Sequence, residues 1–166
     1  ECYGGYANCG VMKDEAVVFL FPPEVICQMW HVLYWHGLPG VDSGPERSDV
    51  IKKSFKKYRV TNIGFDHWAT YVPKFPRSIE IRQGVMTLSE PIKQLQTLMV
   101  LNLITSEALS GNQGSEGRLT LRADPNGNKR PNQSDSTGNF APVLALINAM
   151  AVYRSGEPSM EVQAHV

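Results

Sequence analysis

Residues 16–23 read AVVFLFPP, and this stretch decides how the start of the chain is expected to fold. Its β-branched and aromatic side chains favour an extended strand, and the two prolines that end it cannot donate hydrogen bonds to a neighbouring strand. The stretch therefore predicts a strand that is buried on both faces or lies at a sheet edge. The run that follows, from Val25 to Trp35, predicts a second strand, which carries Cys27.

Further short strands are predicted along the rest of the chain. Alternation of apolar and polar residues predicts strands at 58–63, 78–82 and 118–122, and the segment Asp124–Gly127 is a strong turn signal. Residues 89–109 fit either a helix or a central strand, because helically spaced apolar residues overlap a dense apolar run. The predicted core consists of Phe19, Phe21, Ile26, Trp35, Val60, Trp68, Leu101, Leu121, Leu144 and Tyr153.

Composition restricts the classes of partner. The 166 residues contain 16 basic and 16 acidic side chains, and this balance argues against a dedicated nucleic-acid binder, which normally has a basic excess. No apolar run approaches the roughly 18 residues that a membrane helix needs, and the longest run, 141–153, is interrupted by Asn148. The sequence therefore predicts neither a nucleic-acid partner nor a membrane partner.

The cysteines and one asparagine are candidate modification sites. Cys2 and Cys9 lie in a segment rich in Gly and Tyr, and Cys27 lies in a predicted strand, with no CxxC pair among the three. This arrangement suggests an oxidising compartment with interchain disulfides, and three unpaired thiols are the alternative. Asn132-Gln133-Ser134 is a formal acceptor for N-glycosylation.

No motif in the sequence predicts a catalytic, metal or cofactor site. His31 and His36 are five residues apart, a spacing that places them on opposite faces of a strand. Ser43 with Asp66-His67 lacks the second glycine and the chain order of a hydrolytic set. Gly111, Gly114 and Gly117 do not form a dinucleotide-binding fingerprint.

Several short pieces of the chain follow one another as they do in a family of antibody domains. Val18–Pro23 is followed by Glu24–Cys27, Trp35 and Tyr58–Val60, and the second half adds pieces at 85–88 and 142–144. Together they resemble the Fc part of an immunoglobulin G heavy chain. The resemblance departs from the family at the disulfide, because Val72-Pro73-Lys74 stands where the partner of Cys27 is expected.

The resemblance implies an all-β fold of antiparallel immunoglobulin-like sandwiches. Residues 1–15 would be a hinge-like leader, and 16–84 and 85–166 would be two constant-like units. It also implies a secreted, extracellular glycoprotein that binds a protein receptor through loops near His67. The chain would dimerise, either as a homodimer or with a disulfide-linked partner chain, through Cys2 or Cys9, and it would have no catalytic step and no cofactor.

A single α/β domain is the alternative. Trp35–Pro39, Gly64–Trp68 and Arg118–Leu121 are similar to pieces of dihydrofolate reductases, which are NADPH-dependent enzymes. The glycine pair and the acid that this family carries beside its cofactor and substrate are missing from the sequence. Saturable binding of NADPH would favour the reductase, and a disulfide-linked dimer would favour the Fc-like protein.

Overall fold

The computed structural model describes residues 7–12, 16–22, 29–36, 52–53, 55–66, 78–106, 118–138 and 140–156 of the chain. Within these residues the fold is a mixed α/β arrangement of a six-stranded sheet, a separate hairpin and two long helices. The sheet strands are β1 (Ala7–Met12), β2 (Ala16–Phe21), β3 (Trp30–His36), β4 (Val60–Phe65), β5 (Ser78–Glu80) and β6 (Ile104–Ser106). The hairpin consists of β7 (Arg118–Ala123) and β8 (Lys129–Thr137), and the helices are α1 (Val85–Val100) and α2 (Ala141–Gly156).

The sheet combines antiparallel and parallel pairing. Its spatial order is β5-β4-β1-β2-β3-β6. Strands β1, β2 and β3 pair antiparallel in chain order, whereas β4 returns to lie parallel to β1 and β5 lies parallel to β4. Strand β6 lies parallel to β3 at the other edge. Parallel neighbours require long connections, and those between β1 and β4 and between β3 and β6 contain helical residues.

Strand β2 confirms the prediction of a strand buried on both faces. Val18 and Leu20 belong to the core beneath the two long helices, whereas Phe19 and Phe21 belong to a second core on the opposite face. On that second face a helical segment at 52–53 and 55–57 contributes Phe55, whose ring centroid lies 6.0 Å from that of Phe19. Both faces of the strand are covered, and for this reason its sequence is continuously apolar.

Helix α1 resolves the alternative that periodicity left open. It begins after Gly84, and Asn102, with φ 53°, adopts the left-handed conformation just past its end. The Leu103 N–H donates to the Leu98 carbonyl at 2.8 Å and the Asn102 N–H donates to the Met99 carbonyl at 3.1 Å, the bond pattern of a Schellman motif. Leu101 lies at this turn and is 58% exposed, so its predicted place in the core is wrong.

Helix α2 lies directly over the middle of the sheet. At Gly10 of β1, a Cβ atom would lie 2.6 Å from the Ala149 nitrogen and would also overlap the Ala145 carbonyl. At Gly64 of β4, a Cβ atom would lie 2.8 Å from the Asn148 carbonyl oxygen. The absence of a side chain at both positions allows the helix backbone to rest on the two central parallel strands.

The predicted all-β fold is wrong. A sandwich needs two facing antiparallel sheets, whereas this chain covers its main sheet with helices that supply many of the buried residues. The immunoglobulin-like sandwiches expected for 16–84 and 85–166 are therefore absent from the described residues, and the division of the chain near residue 84 stays a prediction. Several predicted core residues are in place: Phe19, Phe21 and Leu144 are buried, and Leu121 and Tyr153 pack against the core.

Candidate active site where the central strands end

The carboxyl ends of β1, β4 and β5 meet at one edge of the sheet. Val11 pairs with Phe65 and Phe65 pairs with Glu80, so the three parallel strands end at nearly the same level. Asp66 follows β4 directly at this edge, and it is completely buried. In sheets with parallel strands, ligands and reacting groups are commonly held beyond these carboxyl ends. Asp66 is therefore the carboxylate that the fold places at the position expected of a reacting site.

A hydrogen-bonded network fixes the frame around this edge. The Asn148 Nδ2 of helix α2 donates to the Val11 carbonyl at 3.0 Å, and the Asn148 Oδ1 accepts from the Gln83 Nε2 at 3.1 Å. The same Gln83 Nε2 lies 3.1 Å from the carbonyl of Ile81, whose N–H donates to the Phe65 carbonyl at 2.7 Å. The network thus joins the ends of β1 and β4, the segment after β5 and the helix.

Helix α2 points its amino terminus toward the same edge. Ala145 and Ala149 lie over Gly10 near the end of β1, and Tyr153 contacts Trp30 with ring centroids 5.0 Å apart. Trp30 is the first residue of β3 and lies at the level where β1 begins. The carboxyl-terminal part of the helix therefore lies near the start of β1, and the helix runs antiparallel to this strand. The first residues of the helix, from Ala141, therefore face the edge that carries Asp66. The partial positive charge of a helix amino terminus favours anions there.

The chemistry of this edge is that of hard oxygen ligands. A carboxylate such as Asp66 is a ligand that Mg²⁺ prefers, and Mg²⁺ is often held by one or two carboxylates with waters and substrate phosphates completing its shell. Within the described ranges, no group of three or more His, Cys, Asp or Glu side chains could hold a metal ion. Among the described residues, Asp66 is the buried carboxylate at this edge that could contribute a ligand to such a cation.

The structure assigns different outcomes to the predicted site residues. Cys9 is a free, fully buried thiol, and burial raises the pKa of that thiol far above its usual range. The described part of the chain contains no disulfide, while Cys2, Cys27 and His67 lie outside it. Asn132 lies on β8, where its Nδ2 donates to the Asp135 Oδ2 at 2.6 Å, and its glycosylation stays a prediction.

As a chemical group, Asp66 is predicted from the sequence only as part of a hydrolytic set with Ser43 and His67, which the sequence does not support. The sequence does carry one signal, because Asp66 is the first acid after the alternating run 58–63. Neither Asn148 nor Gln83 has a sequence motif that marks it.

None of the described helices is both long enough and apolar enough to cross a membrane.

Comparison with known proteins places the fold. No family model and no curated protein matches the sequence. Among solved structures, the chain is similar to the large terminase of bacteriophage HK97, with a TM-score of 0.64 at 14% identity over 89% of this chain. The match spans 39% of the HK97 chain. A second match is the large terminase nuclease from thermophilic phage G20c, with a TM-score of 0.49 at 10% identity over 91% of this chain and 82% of that chain.

These findings correct the family assignment. The fold is shared with a phage large terminase, so the resemblance to an immunoglobulin Fc region is wrong, and the dihydrofolate reductase alternative is not supported. The functional calls drawn from the Fc resemblance are wrong with it: a secreted, extracellular protein, a protein receptor as partner and a purely scaffolding role. The expectation of no nucleic-acid partner is contradicted as well, because the fold is shared with a phage large terminase.

Proposed function

We propose that this chain is a nuclease domain that hydrolyses phosphodiester bonds of DNA at the edge where β1, β4 and β5 end. The observation that carries the proposal is the position of Asp66, a completely buried carboxylate directly after strand β4, which lies between β5 and β1. The fold shared with a phage large terminase supports DNA as the substrate class.

Asp66 would hold a divalent cation at this edge. Such an ion, when bound, polarises a phosphoryl oxygen and lowers the pKa of a bound water, which is the chemistry that phosphodiester hydrolysis needs. The protein contributes the frame. The Asn148 amide, held between the Val11 carbonyl and Gln83, fixes helix α2 against the sheet and keeps the strand ends in position beside Asp66.

The amino terminus of α2 provides the complementary electrostatics. It points toward the edge that carries Asp66, and its partial positive charge favours an anionic group such as a DNA phosphate. A cation held by Asp66 and the helix terminus would therefore attract the same phosphate from two sides. This pairing supports phosphodiester DNA over a neutral substrate.

Nicking of supercoiled plasmid DNA tests the proposal. The chain is incubated with plasmid in Mg²⁺, in Mn²⁺ or in EDTA, beside the Asp66→Asn and Glu90→Gln variants. Glu90 is an exposed helix residue whose ion pair with Lys93 spans 3.3 Å, so Glu90→Gln is a matched removal of one negative charge. We expect metal-dependent nicking by the parent chain and by Glu90→Gln, with a loss of at least about 100-fold in Asp66→Asn, because one metal-ligand carboxylate is removed.

Two results would contradict the proposal. One is a parent chain that leaves plasmid intact in both cations although it is folded. The other is nicking that survives Asp66→Asn unchanged, which would assign the activity to another site or to another protein in the preparation.

A further inference from the structure

The β7–β8 hairpin presents a fixed inner face to the rest of the molecule. Leu119 and Leu121 of β7 pack against the core formed by the two long helices. On β8, the Lys129 N–H donates to the Ser89 Oγ at 3.0 Å, and the Lys129 Nζ donates to the Gln96 Oε1 at 2.6 Å. Both contacts are to helix α1, so the hairpin is attached along one side and its opposite face is directed away from the helices.

The outer face of the hairpin carries arginines. Arg122 pairs directly with Arg130 across the two strands, and both side chains are exposed. Arg118 is exposed as well and falls on the same face by the two-residue alternation of β7. Like charges directly opposite each other destabilise an antiparallel pair, so this arrangement is unfavourable unless an anion lies between the arginines.

The acidic residues of the hairpin do not neutralise these arginines. Both Asp124 oxygens accept hydrogen bonds within the turn, from the backbone N–H groups of Asn126 and Asn128 and from the Asn128 side chain, and these bonds lower the pKa of Asp124. Asp135 accepts from Asn132. Within the described part of the chain, none of the three arginines has an ion pair or a hydrogen bond from its side chain.

We propose that Arg118, Arg122 and Arg130 form a phosphate-binding face that seats the backbone of duplex DNA. The inference rests on the proposed nuclease function and names the contact by which the substrate is held. A two-stranded ribbon is narrow enough to follow the major groove of DNA, and the guanidinium group matches phosphate oxygens in a bidentate geometry. Such contacts position a duplex without reading its sequence.

The connection between β8 and α2 relates this face to the reacting edge. After β8 ends at Thr137, the chain passes Gly138, which has φ 65°, and enters α2 at Ala141. The amino terminus of α2 faces the edge that carries Asp66, so the base of the hairpin and the reacting edge are separated by only a few residues of chain. Arg118 pairs with Thr137 at this base, whereas Arg122 and Arg130 lie near the turn. A duplex that runs along the face from the Arg122–Arg130 pair to Arg118 would therefore approach the candidate site.

The test measures binding of a fluorescently labelled duplex of about 30 base pairs by anisotropy, in Ca²⁺ instead of Mg²⁺ and over a series of NaCl concentrations. The variant is Arg122→Gln/Arg130→Gln. The control is Lys53→Gln/Lys56→Gln, which removes the same charge from exposed residues of the helical segment on the opposite face of the sheet. We expect at least tenfold weaker binding for the arginine variant and a salt slope smaller by about 2, since each phosphate contact contributes about 0.9.

The lysine control and an Arg122→Lys/Arg130→Lys variant should both keep the salt slope of the parent chain, because neither removes charge from the proposed face. Equal losses in the arginine and lysine variants, unchanged binding in the arginine variant, or no DNA binding by the parent chain would each overturn the inference. A parent chain that binds DNA through these arginines but never cleaves it would contradict the proposed nuclease function and leave the arginine face in place.

Discussion

At the scale of single residues, Asn148 is a buried helix residue that also joins two other segments through hydrogen bonds. It is a fully buried polar residue in an otherwise apolar helix, and both ends of its amide are hydrogen-bonded, to Val11 and to Gln83. Its value lies in satisfying groups that burial would otherwise leave without partners. In the sequence it appeared only as an interruption of the apolar run 141–153.

Replacement of Asn148 by Ala should destabilise the protein strongly. The buried Val11 carbonyl would lose this donor and the Gln83 amide would lose one of its two acceptors, so we expect the free energy of unfolding to fall by about 3 kcal/mol. Urea denaturation measures the change, with Gln133→Ala on the exposed side of β8 as the control. Coincident midpoints for Asn148→Ala and the control would show that the network contributes nothing.

A methyl group at Gly10 should be tolerated far less than one at Gly84. The Cβ of Gly10→Ala would meet helix backbone that cannot rotate away, whereas nothing lies within 4 Å of a Cβ at Gly84. We expect Gly10→Ala to lower the free energy of unfolding by about 3 kcal/mol or to prevent folding, as overpacking against rigid neighbours does. The Gly84→Ala control should cost less than about 1 kcal/mol. Equal costs would mean that α2 does not rest on β1 as described.

The buried thiol of Cys9 should make stability depend on alkaline pH. Burial raises the pKa of this thiol above the ordinary value of 9.0, so the folded chain keeps the proton that the unfolded chain releases. The free energy of unfolding should therefore fall above pH 9. The contribution of Cys9 to this fall is about 1.4 kcal/mol for each pH unit. Urea denaturation at pH 8 and pH 10 should show that Cys9→Ala loses less unfolding free energy between the two pH values than the parent chain does. Identical losses in the two proteins would contradict this assignment.

At the scale of elements, the sequence predicts a strand correctly where the conformational preference of the residues and their burial favour the same structure. The continuous apolar run at 16–21 is a strand because both faces of β2 are covered. Residues 89–109 could not be assigned, since Leu, Ile and Met suit a buried helix or a buried strand equally. Packing against α2 and the hairpin makes residues 89–100 helical, and the short β6 joins the sheet.

The end of α1 offers a test at this scale. Asn102 has a left-handed backbone, which glycine adopts without strain and alanine adopts at a cost of about 1 kcal/mol. We expect Asn102→Gly to leave the melting temperature unchanged or to raise it, and Asn102→Ala to lower it by about 2–4 °C. The reverse order of the two variants in differential scanning calorimetry would contradict the Schellman ending.

At the scale of the whole molecule, the order of the strands in the sheet cannot be predicted from local sequence patterns. Strand β4 returns to pair with β1 across more than fifty residues, as the hydrogen bond from the Thr61 Oγ1 to the Ala7 carbonyl illustrates. Short strands and a Pro-Pro ending are common to many folds, so the collinear pieces resemble an immunoglobulin sandwich without specifying one. The net charge is a sum over the whole chain, so its neutral value does not reveal that the hairpin carries several arginines on one face.

The sequence offers one approach to the proposed site, through Asp66, which is the first acid after the alternating run 58–63. The residues around it come from distant parts of the chain, with Gln83 and Asn148 separated by 65 positions. What unites them is the edge where parallel strands end, and this edge exists only once the order of the strands is known.

The most direct test of a cation-bound Asp66 is metal rescue of DNA cleavage by Asp66→Cys. A thiolate is a poor ligand for Mg²⁺ and a better one for softer ions such as Mn²⁺ and Cd²⁺. We predict that the variant cleaves a labelled duplex at least about 100-fold more slowly than the parent chain in Mg²⁺ and regains at least tenfold in Mn²⁺ or Cd²⁺, through a restored metal ligand. Cleavage in Mg²⁺ at the parent rate would contradict the assignment of Asp66 as the residue on which hydrolysis depends.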